Sequence, residues 1–373
     1  MNLYSSVYSF QYILRQKIIN RYYRNSPKEF DQNLLKNPKI ILVICTGLLG
    51  DSVMSSPVFF HLRQIYPKAK IIFLGKKNNC ELFFDCPYID EYKITPIIPF
   101  TLIYKLKERI LLEWVKSKNI DIAVVLLGAQ FGKILKDAKI PIRVCTNIKG
   151  AYLPNLYTHL YESATPKDWG PNEQLNSLRC LGHIVPFSLP KLWTNDLTNK
   201  LIKSVLVKNN IQEEEKFIIL HPFGSSKRQW WDTNNIKILS KELYNKFKIK
   251  TILIGGIETM NLIAPDKYLL DLTGKVSIGE LISLIYLAEI LITTDSGPFH
   301  IAGALNKNII GLFRSSRPEF AKLYPKTKII LGYNEFCLKK CNWDTCINEK
   351  CYQMHEITPC QVISSISSFL KSK

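Results

Sequence analysis

The stretch that decides the fold is LITTDSGPFHIAGAL, residues 291–305. Its first residues form an apolar run that is typical of a strand buried on both faces. The residues from Gly297 onward favour a helix, and the joint between the two elements holds an acid, a hydroxyl and a glycine. A strand that passes through a short polar turn into a helix is the repeating unit of parallel α/β sheets.

Two blocks of the chain repeat this alternation of strand and helix. The first has strands at KIILVIC (39–45), AKIIFLG (69–75), DIAVVLL (121–127) and PIRVC (141–145), with a helix over 50–67. The second has strands at KFIILHP (216–222), KTILIGG (250–256), YLLDLTG (268–274), EILITT (289–294) and NIIGLF (308–313), with helices over 232–247, 277–287 and 297–305. The pattern predicts an α/β protein made of two doubly wound domains with parallel sheets.

Prolines concentrate between the two blocks, over residues 150–210, and place the domain junction there. We therefore expect four parts: an N-terminal extension (1–38), a first Rossmann-like domain (39–190), a second (191–355) and a C-terminal helix (356–373). The last helix should begin after Thr358 as N-cap, with Pro359 at its first position.

The composition indicates a folded and strongly basic protein. Hydrophobic residues make up 46% of the 373, and Lys and Arg total 50 against 31 for Asp and Glu, a net charge of +19. Such an excess favours anionic partners: nucleic acid, acidic lipid headgroups or phosphorylated small molecules. The sequence shows no secretory signal and no uncharged apolar run of about 18 residues, so a reducing cytoplasm is the expected location.

The N-terminal extension combines an apolar helical face with positive charge. Its apolar residues recur every three or four positions, at Leu3, Val7, Phe10, Leu14 and Ile18, and Arg15, Lys17, Arg21 and Arg24 lie near them. One interpretation is a helix packed on its own domain. The other is an interfacial helix on an anionic membrane.

Three polar turns follow predicted strands, at the sheet edge where open parallel sheets bind ligands. The first is CTGLLGDS, residues 45–52, in which Gly47 and Gly50 are expected to let the backbone turn tightly. Asp51 then stands at or near the start of a helix, either as an N-cap or as a functional acid. The turn matches neither the GxGxxG fingerprint nor a P-loop.

The second turn is HPFGSSKRQWW, residues 221–231. The hydroxyls of Ser225 and Ser226, with the cations Lys227 and Arg228, would suit a diphosphate. A polar loop with solvated charges is the alternative.

The third turn is the joint of the opening stretch. Asp295 and Ser296 precede a helix whose first N–H groups carry partial positive charge, and Gly297 has no side chain to keep a phosphate oxygen away. The turn therefore predicts an anion-binding site, with an ordinary helix cap as the alternative.

Several signatures are missing from the sequence. It contains no DxD, which argues against a sugar nucleotide held through that metal-binding motif, and no HExxH or GxSxG. Zinc-finger and RNP signatures are missing too, so no nucleic-acid partner is expected. We expect neither a cofactor nor a catalytic metal.

Taken together, the three turns resemble glycosyltransferase family 9, the bacterial ADP-heptose:lipopolysaccharide heptosyltransferases and their relatives. The resemblance covers residues 39–75 and 217–313, and its most specific block is DLTGKVSIGELISLIYLAEILITTDSGPFHIAGAL. It implies a GT-B fold of two facing Rossmann-like domains, with the acceptor bound by the first and the nucleotide by the second. It also implies an enzyme that transfers a sugar with inversion and without a metal.

The resemblance implies a role for each matching residue. Asp51 matches the acid proposed as general base, with Gly47 and Gly50 on the acceptor side. Lys227 or Arg228 matches the cation near the donor diphosphate, beside Ser225 and Ser226. Glu258 is a candidate for the donor ribose, and Asp295, Ser296, Gly297 and His300 match the family's DSGp.H motif at the donor. Asp295 has an alternative structural role, capping its helix and orienting His300.

Four cysteines lie in CLKKCNWDTCINEKC, residues 337–351: Cys337, Cys341, Cys346 and Cys351. Four thiolates could bind zinc or iron, but the CxxC spacing of most such sites is missing. Both a metal site and ordinary loop or core thiols remain open, and we assign no metal.

The leading hypothesis is transfer of heptose from ADP-heptose to a lipopolysaccharide core, a lipid-linked or phosphorylated acceptor, at the inner face of the inner membrane. Alternatives are another nucleotide sugar or a protein acceptor within the same family. Two other classes are a non-catalytic sugar-nucleotide-binding protein and a nucleic-acid binder driven by charge alone.

Overall fold

The structure is a computed structural model that describes residues 32–95, 104–147, 154–162, 170–314, 322–338 and 351–370. The chain divides after Pro190 into two compact units. The amphipathic helix predicted near the N-terminus lies outside the described residues. Later in the N-terminal extension, the structure describes a short 3-10 turn at Gln32–Leu35.

The first unit contains a six-stranded parallel sheet. Its strands are β1 (Ile40–Cys45), β2 (Lys70–Gly75), β3 (Glu91–Ile94), β4 (Ile122–Leu127), β5 (Ile142–Asn147) and β6 (His159–Glu162). Their order is β3-β2-β1-β4-β5-β6, and every pair is parallel. This is the strand order of a Rossmann-like doubly wound sheet.

The helices of the first unit cover both faces of this sheet. They are α1 (Leu49–Ile65), α2 (Lys77–Leu82), α3 (Tyr104–Ser117), α4 (Gly132–Asp137) and α5 (Pro171–Arg179). Leu42 and Ile44 of β1 pack in one cluster with Leu111 and Val115 of α3, while α5 packs against α1 and β4 to β6. Residues 41–45 are at most 1% exposed, which explains their unbroken apolar run.

The second unit repeats the architecture of the first. Its strands are β7 (Phe217–His221), β8 (Lys250–Leu253), β9 (Leu269–Asp271), β10 (Ile290–Thr294), β11 (Asn308–Arg314) and β12 (Thr327–Gly332). The parallel order is β9-β8-β7-β10-β11-β12, which matches the first unit strand for strand. The predicted pair of doubly wound α/β sheets is confirmed.

The helices of the second unit are α6 (Asp196–Lys208), α7 (Thr233–Phe247), α8 (Ile278–Leu287), α9 (Gly297–Ala304), α10 (Glu335–Leu338), α11 (Tyr352–His355) and α12 (Pro359–Leu370). Four of them, α6, α7, α8 and α12, start at side-chain caps. The hydroxyl of Ser277 accepts the Glu280 N–H while the Glu280 carboxylate accepts the Ser277 N–H. Thr358 and Gln361 form the same reciprocal pair, so the predicted start of the last helix is confirmed.

The region that the sequence left irregular contains regular elements. Strand β6 and helices α5 and α6 all lie within residues 150–210, and β3, α2, α3, α4 and β12 were not predicted either. These elements are short or amphipathic, so they lack the apolar run that identified the central strands. Within the described residues, no helix combines the length and apolar character needed to cross a membrane.

Candidate functional site

The first turn lies at the carboxyl end of β1, as predicted. Asp51 is the third residue of α1, and Leu48 occupies the N-cap position. The Leu48 N–H donates to Oδ2 of Asp51 at 3.0 Å. The Leu48 side chain has no acceptor for a helix N–H. The Asp51 carboxylate therefore stabilises the start of the helix from within its first turn. The interpretation of Asp51 as an N-cap residue is therefore wrong.

The Asp51 carboxyl group is half-buried. Burial raises its pKa above the ordinary value, while the Leu48 N–H and the positive charge of Lys76 oppose that rise. Oδ1 of Asp51 forms no hydrogen bond to the described residues, so one carboxylate oxygen remains available to accept a proton.

The two glycines of this turn act differently from the prediction. Neither Gly47 nor Gly50 has a positive φ, and Gly50 lies within the first turn of α1. A Cβ on Gly47 would lie 2.6 Å from Cδ1 of Leu127 and 3.1 Å from Oδ2 of Asp51. Gly47 is therefore required for space beside the carboxylate, and not for a special backbone conformation.

Lys76 was not singled out in the sequence, although it follows β2 at the same sheet edge. It is exposed and forms the N-cap of α2, where its N–H donates to Oδ1 of Asn79 at 3.0 Å. The Asn79 amide in turn donates to Oγ of Ser52 at 2.7 Å and to the Gly47 carbonyl at 3.3 Å. These bonds tie the turn after β2 to the turn that carries Asp51.

In the second unit, the structure brings the second and third turns together. Nε2 of Gln229 donates to the carbonyl of Asp295 at 3.0 Å. Oε1 of the same side chain lies 3.3 Å from the Ser226 N–H and 3.3 Å from the Ser225 hydroxyl. The buried Gln229 thus links the turn after β7 to the turn after β10. Sequence analysis missed it, although a Ser-x-x-Gln pattern is a recognised helix-start signal.

Lys227 and Arg228 lie on the turn that Gln229 fixes. Lys227 is exposed, with Nζ 5.9 Å from the centre of the Trp230 ring, and Arg228 is half-buried. Neither side chain forms an ion pair with any described residue. Both cations are therefore available to an anionic ligand at the carboxyl edge of the second sheet.

The third turn carries an unusual helix start. Ser296 is the N-cap of α9 and has the extended backbone of that position, but its side chain forms no bond to the helix. Pro298 at the second helical position has no N–H to satisfy. The capping role considered for Asp295 is wrong, since Ser296 holds the N-cap position.

A small pocket with mixed polar and apolar lining adjoins this turn. It is lined by Thr294, Asp295, Gln229 and Arg314, with Leu312, Phe313 and Met354. The Thr294 hydroxyl is buried and has no hydrogen-bond partner. A buried hydroxyl without a partner is costly, which indicates that this edge is completed by another group or by water.

Glu258 lies on the turn after β8, the strand next to β7. It is exposed, and its carboxylate folds over Gly256, where an added Cβ would lie 2.3 Å from Oε2. A Cβ on Gly255 would lie 2.9 Å from Phe223, so this turn packs against the turn after β7. Glu258 therefore shares the carboxyl edge of the second sheet with the second and third turns.

His300 is buried inside α9 and faces Tyr324. Its Nδ1 lies 3.2 Å from the Tyr324 hydroxyl, and the two rings meet edge to face. Burial lowers the pKa of His300 to about 4, so the ring is neutral near pH 7 and brings no charge to the sheet edge. Asp295 was considered as the residue that orients His300, but the hydrogen-bond partner of the His300 ring in the structure is Tyr324.

The packing of Tyr324 against α9 makes a prediction about Gly303. A Cβ at this position would lie 2.3 Å from the Tyr324 ring, so Gly303→Ala must displace the ring and its bond to His300. We expect a loss of about 1–3 kcal/mol of unfolding free energy in urea titrations. Gly279→Ala is the matched control, because a Cβ there meets nothing within 4 Å. Equal stability of the two variants would contradict the packing.

The cysteine cluster is only partly described. Cys337 and Cys351 are half-buried, while Cys341 and Cys346 lie outside the described residues. In the described ranges, no three His, Cys, Asp or Glu side chains are grouped so that they could hold a metal ion.

Comparison with known proteins decides the family. The sequence profile of glycosyltransferase family 9 (heptosyltransferase) matches residues 115–352, well over half of the chain. The chain belongs to glycosyltransferase family 9. The predicted family resemblance is confirmed, and this family 9 protein is a glycosyltransferase.

Relatives of this family 9 enzyme are lipopolysaccharide and lipooligosaccharide heptosyltransferases. It is 23% identical to lipooligosaccharide heptosyltransferase 2 of Haemophilus ducreyi over 355 residues, covering 88% of this chain and 99% of the relative. The solved glycosyltransferase family 9 structure from Veillonella parvula has a TM-score of 0.76 at 17% identity and covers 92% of this chain and 100% of that one. The E. coli ADP-heptose lps heptosyltransferase II has a TM-score of 0.71 at 19% identity, covering 89% and 98%. The shared fold is GT-B.

Proposed function

We propose that this family 9 enzyme transfers heptose from ADP-heptose to a sugar of a lipopolysaccharide core, with inversion and without a metal. The observation that carries the proposal is the second-unit edge, where two unpaired cations lie on a turn bonded to an uncapped helix start. The relatives support the choice of substrates, because one is a lipooligosaccharide heptosyltransferase and another is described with ADP-heptose.

The donor contacts follow from the turns of the second unit. Lys227 and Arg228 neutralise the diphosphate, with the hydroxyls of Ser225 and Ser226 beside them. The first N–H groups of α9, after Asp295 and at Gly297, add their partial positive charge. Such preorganised groups stabilise the charge that grows on the departing diphosphate. Glu258 is proposed to bind the donor ribose through its carboxylate.

Asp51 is the proposed general base. Its carboxylate accepts the proton of the acceptor hydroxyl while that oxygen attacks the anomeric carbon and the bond to the diphosphate breaks. A pKa raised by burial makes the carboxylate a stronger base than an exposed one. Gly47 and Gly50 lie on the acceptor side, next to this carboxylate.

The pH dependence of transfer tests the surroundings of the base. The base works only when ionised, so the rate is lost as the pH falls through the Asp51 pKa. Because Lys76 lowers that pKa, Lys76→Met should move the acid limb of the kcat/KM profile to higher pH. Lys77→Met is the control, since Lys77 pairs with Glu81 at 3.7 Å. Coincident acid limbs for the two variants would count against Asp51 as base.

Assay of a nucleotide-sugar panel tests the proposed reaction. We expect transfer from ADP-heptose to a core acceptor, and little transfer from UDP- or GDP-sugars. Transfer from a different donor, or to a protein, would leave the family assignment unchanged and show that the proposed donor or acceptor is wrong. If every donor binds without transfer or hydrolysis, the protein is a binding module and the proposal is wrong.

An anionic membrane surface is the proposed location of the acceptor. The +19 charge suits such a surface, and residues 1–30 carry basic side chains along an apolar helical pattern. Deleting residues 1–30 should reduce sedimentation with anionic vesicles, and zwitterionic vesicles serve as the control. Equal pelleting with and without the segment would support a helix packed on its own domain.

A further inference from the structure

Helix α3 carries two exposed apolar side chains on the surface of the first unit. Leu106 and Ile110 are 59% and 52% exposed. They are four positions apart, so they are neighbours on one stripe of the helix surface. Leu111 and Val115 of the same helix pack into the core of the unit. The stripe is therefore separate from the face that α3 buries against its sheet.

Positive charge lies along this stripe. Lys105 precedes Leu106 and Arg109 precedes Ile110 in the chain, and both cations are exposed. Neither cation forms an ion pair with any described residue, and the carboxylate of Glu108 lies 3.8 Å from a lysine of α4. We call residues 105, 106, 109 and 110 the α3 patch, a surface that combines apolar and positively charged side chains.

The α3 patch lies toward the carboxyl edge of the first sheet. Helix α3 returns the chain from the end of β3 to the start of β4, so its first turns are near the carboxyl edge and its last turn is near the amino edge. Lys118, just after the helix, pairs with Glu91 at the start of β3, which fits this direction. The carboxyl edge also exposes Leu48 and Ile94, by 68% and 48%. It is the edge that carries Asp51.

We propose that the α3 patch docks the protein on the surface of an anionic lipid bilayer. The apolar side chains enter the boundary between headgroups and acyl chains, and the cations bind lipid phosphates. A bilayer offers negative charge above an apolar layer, and it accepts side chains from a convex helix without a matching groove. This inference deepens the proposed membrane location, and it rests on the proposed function where it concerns a lipid-linked acceptor.

Docking through the α3 patch has a consequence for acceptor capture. The acceptor of the proposed function is linked to lipid, so its sugars extend from the bilayer surface. A protein held there by α3 has the carboxyl edge of its first sheet, with Asp51, close to those sugars. Docking should therefore lower KM for an acceptor in a bilayer and have little effect on kcat.

Sedimentation of the full chain with vesicles of phosphatidylcholine and anionic phosphatidylglycerol tests the apolar side chains. Leu106→Gln with Ile110→Gln should lower the partition coefficient about 10- to 100-fold, because the exposed half of each side chain no longer leaves water. Leu197→Gln with Leu201→Gln is the matched control. These leucines are 80% and 49% exposed and four positions apart on α6, but Asp196 precedes the first of them. Equal losses for the two pairs would overturn the proposal.

Lys105→Gln with Arg109→Gln tests the charge of the patch. Each basic residue near an anionic surface contributes roughly a 5-fold factor, so the partition coefficient should fall about 30-fold on these vesicles. On pure phosphatidylcholine it should not change. Lys237→Gln with Lys241→Gln removes the same charge from exposed positions of α7 and serves as the control. If the control loses as much, net charge alone attracts the protein and the proposal is wrong.

Two measurements test other occupants of the α3 patch. If it were an interface between two copies of the chain, the wild type would dimerise in analytical ultracentrifugation, and Leu106→Gln with Ile110→Gln would be monomeric with unchanged vesicle binding. If residues 1–30 covered it, deleting them would strengthen vesicle binding. Either result would overturn the proposal. Both substituted side chains are exposed, so the thermal midpoint of this variant should match the wild type.

Transfer assays separate this inference from the proposed function. With ADP-heptose as donor, Leu106→Gln with Ile110→Gln should raise KM about 10-fold or more for an acceptor in anionic vesicles. It should leave kcat/KM for the delipidated core oligosaccharide unchanged. Equal changes with both acceptors would contradict a docking role. If the wild type transfers to neither acceptor, the proposed function is wrong, and the vesicle sedimentation still decides whether the α3 patch binds a bilayer.

Discussion

Asp51→Asn should reduce sugar transfer about 10²- to 10⁴-fold while ADP binding stays unchanged. The amide cannot accept the proton of the acceptor hydroxyl, but its oxygen can still accept the Leu48 N–H, so the start of α1 should remain intact. The expected loss is in kcat, measured with saturating donor, and calorimetry with ADP measures the retained binding.

Asp121→Asn is a matched control for this variant. The Asp121 carboxylate also accepts backbone N–H groups, from Lys39 at 2.7 Å and Ile40 at 3.0 Å, but at the amino edge of the same sheet. It should transfer at close to the wild-type rate. If Asp51→Asn matched this control, the base would be another group, although the family and the donor site would be unaffected.

Replacing both Lys227 and Arg228 by alanine should weaken ADP binding about 10²- to 10⁴-fold, since hydrogen bonds to charged groups contribute about 1.5–3 kcal/mol each. Removing these cations should also lower kcat, because they would stabilise the diphosphate as it leaves. Isothermal titration calorimetry with ADP at two salt concentrations measures this loss. The difference in ADP affinity between the wild type and the double variant should be smaller at high salt.

The control for this pair is Lys237→Ala with Lys241→Ala. Both lysines are exposed on α7 in the same unit, and the change in net charge is the same. An equal loss of affinity in the control would mean that the +19 field attracts ADP without a specific contact. The two single variants, Lys227→Ala and Arg228→Ala, then decide which cation contributes more.

The central strands of each sheet could be predicted because a strand that is buried on both faces requires an unbroken run of apolar residues. KIILVIC, KFIILHP and EILITT each correspond to a strand with at most 1% exposure over most of its length. Elements at the edge of a sheet have a weaker sequence pattern. Strand β3 reads EYKI and is partly exposed throughout, so nothing in its composition separates it from a loop.

Candidate residues could be located from the sequence, but their contacts could not. The turns with Asp51, with Lys227 and Arg228, and with Asp295 were placed at strand ends, and all three lie there. Lys76, Gln229 and His221 were missed, because each interacts with a residue that is distant in sequence: Lys76 with Asp51, Gln229 with Asp295, and the His221 ring with the Ser296 hydroxyl. His221 and Ser296 are 75 positions apart, and Gln229 and Asp295 are 66.

The sequence by itself determined the two series of βα units and the polar turns that follow their central strands, because strand burial and helix starts are recorded in local patterns of residue type. Only the tertiary structure decided that Asp51 is the third residue of its helix with a raised pKa, and that Ser296 leaves its helix uncapped. Those properties depend on desolvation and on hydrogen bonds between strands that are neighbours in the sheet and far apart in the chain.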